Sequence, residues 1–279
     1  MPRVLVTGFG VVSPLGVGRG VFFQGLREAR VAIRRVDEDI DLAGIRSKVA
    51  GVVEGFDPTE FIPPKRARRM GRATQMAITA ARLAWEDAFF SPRDTTRGGV
   101  SVGTGIGAME ALVDNHLVLL ERGAERVSPF LAPMMMPNAP AAEVSIELRI
   151  KGPSVGVVTA CAASAHAIGI AWGWVKEGLV DWALAGGAEA VLIPLVFAAF
   201  DRMGALSRNP DPQTASRPFD AQRDGFVIGE GAGMLLLESE EHARARGAEP
   251  LAELVGFGLS SDAFHITAPP ENGEGARRA

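Results

Sequence analysis

A single cysteine in 279 residues rules out any intrachain disulfide, and a reducing, cytoplasmic setting is the expectation that goes with it. Long apolar runs are missing too. The most apolar stretch, Val191 to Phe200, is about half of what spans a bilayer, so no membrane segment is expected. The opening residues MPRVLVTGFGVVSPLG are broken early by glycines and a proline, and no signal peptide is expected from them. Nor is there an excess of one charge. With 29 Lys and Arg against 33 Asp and Glu, the formal charge is -4, which gives no global attraction to phosphate polymers and argues against nucleic acid as a partner. What is present is the composition of a folded protein, 47% hydrophobic and 22% charged, with 33 glycines that imply many tight turns and close backbone approaches. The length suits one large domain or two of ordinary size.

Short β-branched runs alternate with longer stretches of helical period, the pattern of an α/β protein with a largely buried sheet. The spacing predicts strands at Arg3 to Thr7, Gly99 to Val102, Ser154 to Val158, Asp181 to Ala185, Gly233 to Leu237 and Leu251 to Ser260. Helices are predicted at Arg72 to Ala88, Met109 to Arg122, Ala141 to Leu148, Ala163 to Glu177 and Ser239 to Arg246. Ser207 to Gly225, rich in proline, asparagine, aspartate and charge, reads as a long ordered loop. The GTGIG cluster lacks the spacing of a dinucleotide fingerprint and is not read as one.

The lone cysteine sits in GPSVGVVTACAASAHAIG, Gly152 to Gly169. A strand runs into Thr159-Ala160-Cys161 and directly into a helix of small residues, which sets Cys161 at a strand-to-helix elbow. The positive end of a helix favours a thiolate, and its amides can hold an oxyanion on a thioester carbonyl. Ala160, Ala162, Ala163 and Ser164 leave room for an acyl chain. The local pattern alone fits a buried structural cysteine equally well.

Five separated segments decide between these readings. VLVTGFGVVSPLG (Val4 to Gly16), SVGTGIG (Ser101 to Gly107), VTACAASAHAIG (Val158 to Gly169), SRPFDAQRDGFVIGEGAGMLLLE (Ser216 to Glu238) and SDAFHITAPPENG (Ser261 to Gly273) resemble, in order, the beta-ketoacyl-acyl-carrier-protein synthase II family of condensing enzymes. The resemblance implies a thiolase-like layered α/β fold of two similar halves. The chain is expected to supply the N-terminal half as residues 1–249 and the opening strand of the C-terminal half in 250–279. It also implies the activity: an acyl group passes from acyl carrier protein to Cys161, and the carbanion from malonyl-carrier protein is then joined to it. No cofactor and no metal are implied. The partners implied are acyl carrier protein, with phosphopantetheine-linked acyl and malonyl groups, and a second copy of the chain. The strand Asp181 to Ala185 and the GGAEAV that follows it are expected at the two-fold interface.

By the same resemblance Thr267 belongs to the malonyl and pantetheine side, and Ile106 and Phe200 to the acyl pocket. Lys65, Arg68, Arg69 and Arg126 resemble the basic patch that receives the acidic carrier protein; without the resemblance, the run would be read as a solvated face. The family's two catalytic histidines stand in N-A-H-G-T and G-H type motifs, and neither occurs here. His116, His166, His242 and His265 are in other contexts. The chain is therefore expected to be inactive in condensation alone, and half of a two-half core should leave an apolar face uncovered. A polyketide-type ketosynthase, a thiolase using coenzyme A and a non-catalytic dimerising fragment are the competing readings. Retention of Cys161 argues against the last.

Overall fold

The computed structural model describes residues 2–279. The chain opens on β1 (Val4–Ser13), β2 (Gly16–Val17), α1 (Arg19–Arg27), β3 (Arg34–Arg35) and β4 (Val49–Gly51). It continues through α2 (Pro64–Ala67), α3 (Arg72–Asp87), β5 (Gly98–Gly103), α4 (Met109–Arg122), α5 (Leu131–Met135) and α6 (Ala139–Leu148). Next come β6 (Ser154–Val157), α7 (Ala163–Lys176), β7 (Trp182–Glu189) and α8 (Pro194–Arg202). The last elements are β8 (Ile228–Gly229), β9 (Gly231–Ser239), α9 (Glu240–Ala245), β10 (Ala252–Glu253) and α10 (Glu274–Arg278).

The large sheet runs β10-β1-β9-β7-β5-β6, with β2 pairing onto β1. β5 is parallel to both β6 and β7, while β9 is antiparallel to β7 and β1. Alternation along the strands sets the layers. Trp182 and Leu184 of β7, with Met234 and Leu236 of β9, join the core under α3, whereas Ala183, Ala185 and Leu237 join the core under α7. The sheet thus lies between α3 and α7. A smaller sheet, β3-β4-β8, packs into a third cluster with Val191, Val196, Phe197 and Leu206.

β1 and β7 each run at least four residues past the C-terminal end that the sequence pattern predicts, and glycine is the reason in both. β1 continues past Gly8 and Gly10 to Ser13, because these glycines are not breaks but the places where α3 lies against the strand; a Cβ on Gly10 would sit 1.9 Å from the Ala80 carbonyl oxygen. β7 likewise continues through Gly186 and Gly187 to Glu189. A Cβ on Gly187 would lie 2.0 Å from Ser164 Oγ, so the missing side chain lets the start of α7 settle onto the sheet.

The strand expected over Leu251 to Ser260 is realised only as β10. Antiparallel pairing sets Glu253 opposite Leu5, and Leu254 N–H donates to the Val4 carbonyl at 2.9 Å. Val4 begins β1, and the ladder ends there, with the Arg3 carbonyl accepting from Glu240 N–H instead. The chain instead crosses α7, where Trp172 Nε1 donates to the Leu254 carbonyl at 2.8 Å and the Phe257 ring covers Gly169. β10 therefore adds to the edge of the large sheet, beside β1. The sequence pattern does not predict helices α1 and α8: glycines interrupt the first, and the second is an apolar run up to Phe200, with no polar residue to mark a period.

The expected two-fold interface at Asp181 to Ala185 is also corrected. β7 is hydrogen-bonded on both edges, to β5 and β9, and its residues are buried up to Ala188. A strand in the middle of a sheet has no free edge to offer a second copy.

Candidate active site

Cys161 is the middle residue of a 3₁₀ turn, Ala160–Ala162, that joins β6 to α7. Ala160 before it has φ 50, a left-handed conformation that an L-residue other than glycine adopts at a cost. This turns the cysteine outward, and it is exposed. No side chain caps α7, whose N-cap is Ala162, so the dipole end of a 14-residue helix faces the cysteine. Thr159 Oγ1 and His166 Nδ1 share a 2.8 Å hydrogen bond that ties the turn to the second turn of the helix. His166 also stands edge-on to Phe257 at 6.4 Å, and it supports the elbow from the side.

A cavity of about 450 Å³ opens at Cys161. Ile106 and Phe200 both line it, as do Ala163, Ser164 and Phe226. The register of the sheet brings these residues together: Gly103 of β5 lies opposite Gly187 of β7, so the loop after one strand and the end of the other meet above the start of α7. Ile106 and Phe200 pack against the cluster of Val191, Val196, Phe197 and Ile228, which forms an apolar wall. Phe226 arrives at the end of the long loop, whose ends are joined by the Leu206–Phe226 bridge. Its ring meets Phe200 edge-on at 5.4 Å. The loop itself is held by Asp224, which accepts from Ser207 Oγ at 2.7 Å and from Arg208 N–H at 2.8 Å.

One residue of the cavity was missed in the sequence. Glu189, at the end of β7, accepts from Gly105 N–H at 2.6 Å, Ile106 N–H at 3.2 Å and Thr104 Oγ1 at 3.1 Å. Burial pushes its carboxyl upward, and the same donors pull it back in part. Its only trace in the sequence is an acid beside an apolar run.

An N-terminal domain model of beta-ketoacyl synthases matches residues 1–243. The chain belongs to the beta-ketoacyl synthase family. It is 44% identical over 280 residues to a protein of Synechocystis called 3-oxoacyl-[acyl-carrier-protein] synthase 2, with 99% of this chain and 67% of that protein covered. Among solved structures it is similar to the ishigamide ketosynthase/chain length factor, with TM-score 0.90 and 39% identity over 100% of this chain and 69% of that one. A ketosynthase solved with its type II PKS acyl-carrier protein, AntDE:AntF, superposes with TM-score 0.88 at 33% identity, covering 99% and 68% of the two chains. The chain thus spans about two thirds of the length of these relatives, and its α/β layers are those of the thiolase-like ketosynthase fold.

Other family-inferred residues lie outside the cavity. Thr267 is on an exposed segment, where its N–H donates to His265 Nδ1 at 3.1 Å, and it does not line the cavity at Cys161. The expectation for Thr267 concerns the malonyl and pantetheine side rather than the acyl cavity, and its segment follows Leu254 and Phe257, which lie against α7. In the basic run, Lys65, Arg68 and Arg69 are exposed. Arg66 turns inward to Glu143 at 2.9 Å and to Glu147. Arg69 lies 4.2 Å over the ring of Phe130, and Arg126, also exposed, precedes that phenylalanine in the same segment.

Proposed function

We infer that this chain carries the acyl-accepting site of a 3-oxoacyl-[acyl-carrier-protein] synthase of fatty acid biosynthesis. The observation that carries the reading is the opening of Cys161, at the N-terminal end of α7, onto an apolar cavity of about 450 Å³. The cysteine sulfur attacks the carbonyl of an acyl thioester on acyl carrier protein. The carbon–sulfur bond to pantetheine breaks, the pantetheine sulfur leaves and takes up a proton, and the acyl group stays on Cys161. Its alkyl chain then lies against Ile106 and Phe200. Condensation with malonyl-carrier protein completes the reaction in the whole enzyme. The 44% identity over 99% of this chain to the 3-oxoacyl-[acyl-carrier-protein] synthase 2 of Synechocystis supports the fatty acid assignment.

Exposed Lys65, Arg68, Arg69 and Arg126 supply a cationic face that steers an acidic carrier protein to the site. Incubation with octanoyl-carrier protein is expected to add one octanoyl group at Cys161, seen by intact mass and peptide mapping, and none in Cys161→Ala. Absence of the adduct in the folded chain overturns the reading.

The second copy is assigned to β6. Among the described residues that strand bonds only to β5, and Val158 just beyond it is 50% exposed, so its outer edge can pair with itself about a two-fold axis. Light scattering at micromolar concentration is expected to give the mass of a dimer. A monomer contradicts this.

A further inference from the structure

Four consecutive residues after β5 are organised around a single carboxylate that does not touch the cysteine. Thr104, Gly105 and Ile106 all donate to Glu189, and Gly107 N–H donates to Thr104 Oγ1 at 3.1 Å. The carboxylate suits this task because it only accepts, through two oxygens with room for several donors. The loop is fitted closely as well: a Cβ on Gly105 would come within 2.8 Å of Glu189 Oε2. Glu189, Thr104, Gly105 and Ile106 all border the cavity. While the backbone is drawn to the acid, the Ile106 side chain is directed to the opposite, apolar side and packs on the cluster containing Val191 and Phe197. Ile106 therefore has its place in the cavity wall only as long as its own N–H and that of Gly105 are held.

We propose that Glu189 is a positioning residue that sets the alkyl-chain capacity of the cavity, by clamping loop 104–107 so that Ile106 forms a fixed wall beyond Cys161. The inference rests on the acyl-site reading above and assigns to Glu189 no contact with the reacting atoms. Removing the carboxylate leaves two backbone N–H groups and a hydroxyl without their partner, and the loop then relaxes toward other acceptors or water. The isoleucine moves with it, and the space for an extended chain loses its shape. The cysteine turn is held separately, through Thr159 and His166, so reaction at sulfur with a small reagent does not depend on the clamp.

The test uses the 279-residue chain and two probes, iodoacetamide and N-dodecyl iodoacetamide, with Cys161 alkylation rates read by intact mass. The wild-type chain is expected to react with the long probe at least ~10-fold faster than with the small one, from burial of its methylenes. In Glu189→Ala that ratio is expected to fall to about 3-fold or less, with the iodoacetamide rate within about 2-fold of wild type, as lost chain binding alone requires. Glu189→Gln, which keeps an acceptor for the Gly105 and Ile106 N–H groups, is expected to retain the ratio.

A wild-type chain with no preference for the long probe removes the acyl-cavity reading itself. A wild-type preference that survives unchanged in folded Glu189→Ala overturns only the role of Glu189. If Glu189→Ala does not fold, Thr104→Val decides, since it cuts the same clamp from the loop side: a reduced ratio supports the proposal and an unchanged one overturns it.

Discussion

Given malonyl-carrier protein, with or without an acyl primer, this 279-residue chain is expected to release no measurable carbon dioxide. Acyl transfer needs a nucleophile and an oxyanion site, and under the proposed role of Cys161 the start of α7 offers part of both. Decarboxylation makes a further demand, because negative charge builds on the thioester oxygen as carbon dioxide leaves. Condensing enzymes of this resemblance meet it with two imidazole donors, and the four histidines present are engaged elsewhere. His166 Nδ1 is bonded to Thr159 Oγ1, and His242 Nδ1 lies 2.6 Å from Glu238. His265 Nδ1 accepts from the backbone of Thr267 and Ala268 on an exposed segment, and His116 lies on α4, none of whose residues border the cavity. Loss of one preorganised donor costs roughly 100- to 1,000-fold in rate, so loss of two takes turnover below detection. The assay is release of labelled carbon dioxide against a Cys161→Ala control. Primer-dependent release above that control would sink the expectation and point to His166, the histidine on the same helix as the cysteine.

The second large effect is on stability. Glu238, in β9, has a fully buried side chain, yet it stays ionised. Burial alone would raise its pKa; bonds from Arg246, His242 and Thr7, with the charge of Arg246, reverse this and bring it down to about 2. Arg246 Nε donates at 2.8 Å, and the same guanidinium reaches the Ala88 carbonyl at 2.9 Å. One carboxylate therefore fastens β1, β9, α9 and the end of α3. Because the folded pKa lies below the unfolded value of about 4.5, the ionised form stabilises the fold above that pH. The contribution, roughly 3 kcal/mol, disappears as pH falls from about 4.5 toward 2. Glu238→Gln is expected to lower the unfolding free energy in urea by about 3 kcal/mol at pH 7, since it leaves Arg246 without its partner. The gap from wild type should narrow as pH drops through that window. A gap that stayed constant down to pH 3 would mean that the carboxylate is not the source of the stability.

Much of the layering was legible in sequence because burial has a period. The alternation in WALAGGAE and GAGMLLLES follows two different cores, and the helical stripe of α3 faces one of them. Glycine misled the reading at two places, Gly10 and Gly187, since a missing side chain serves a strand end and a close helix contact equally well. The end of β10 was not legible either, because it depends on where β1 begins.

For the site, the residue pattern alone placed Cys161 at a junction between strand and helix, and resemblance attached Ile106 and Phe200 to it. Small neighbours and a strand that runs into a helix are local properties, which adjacent residues suffice to specify. Glu189 is different. Its partners are more than 80 positions away, and only the parallel pairing of β5 with β7 brings them beside it. Thr267 is the converse case, a residue assigned by its motif that the structure places on an exposed segment outside the cavity at Cys161. The sequence by itself determined the strand-to-helix elbow that carries Cys161 and the alternating layers, which are local in origin; the cavity, its carboxylate clamp and the free edge of β6 come from long-range strand register, which only the tertiary structure decides.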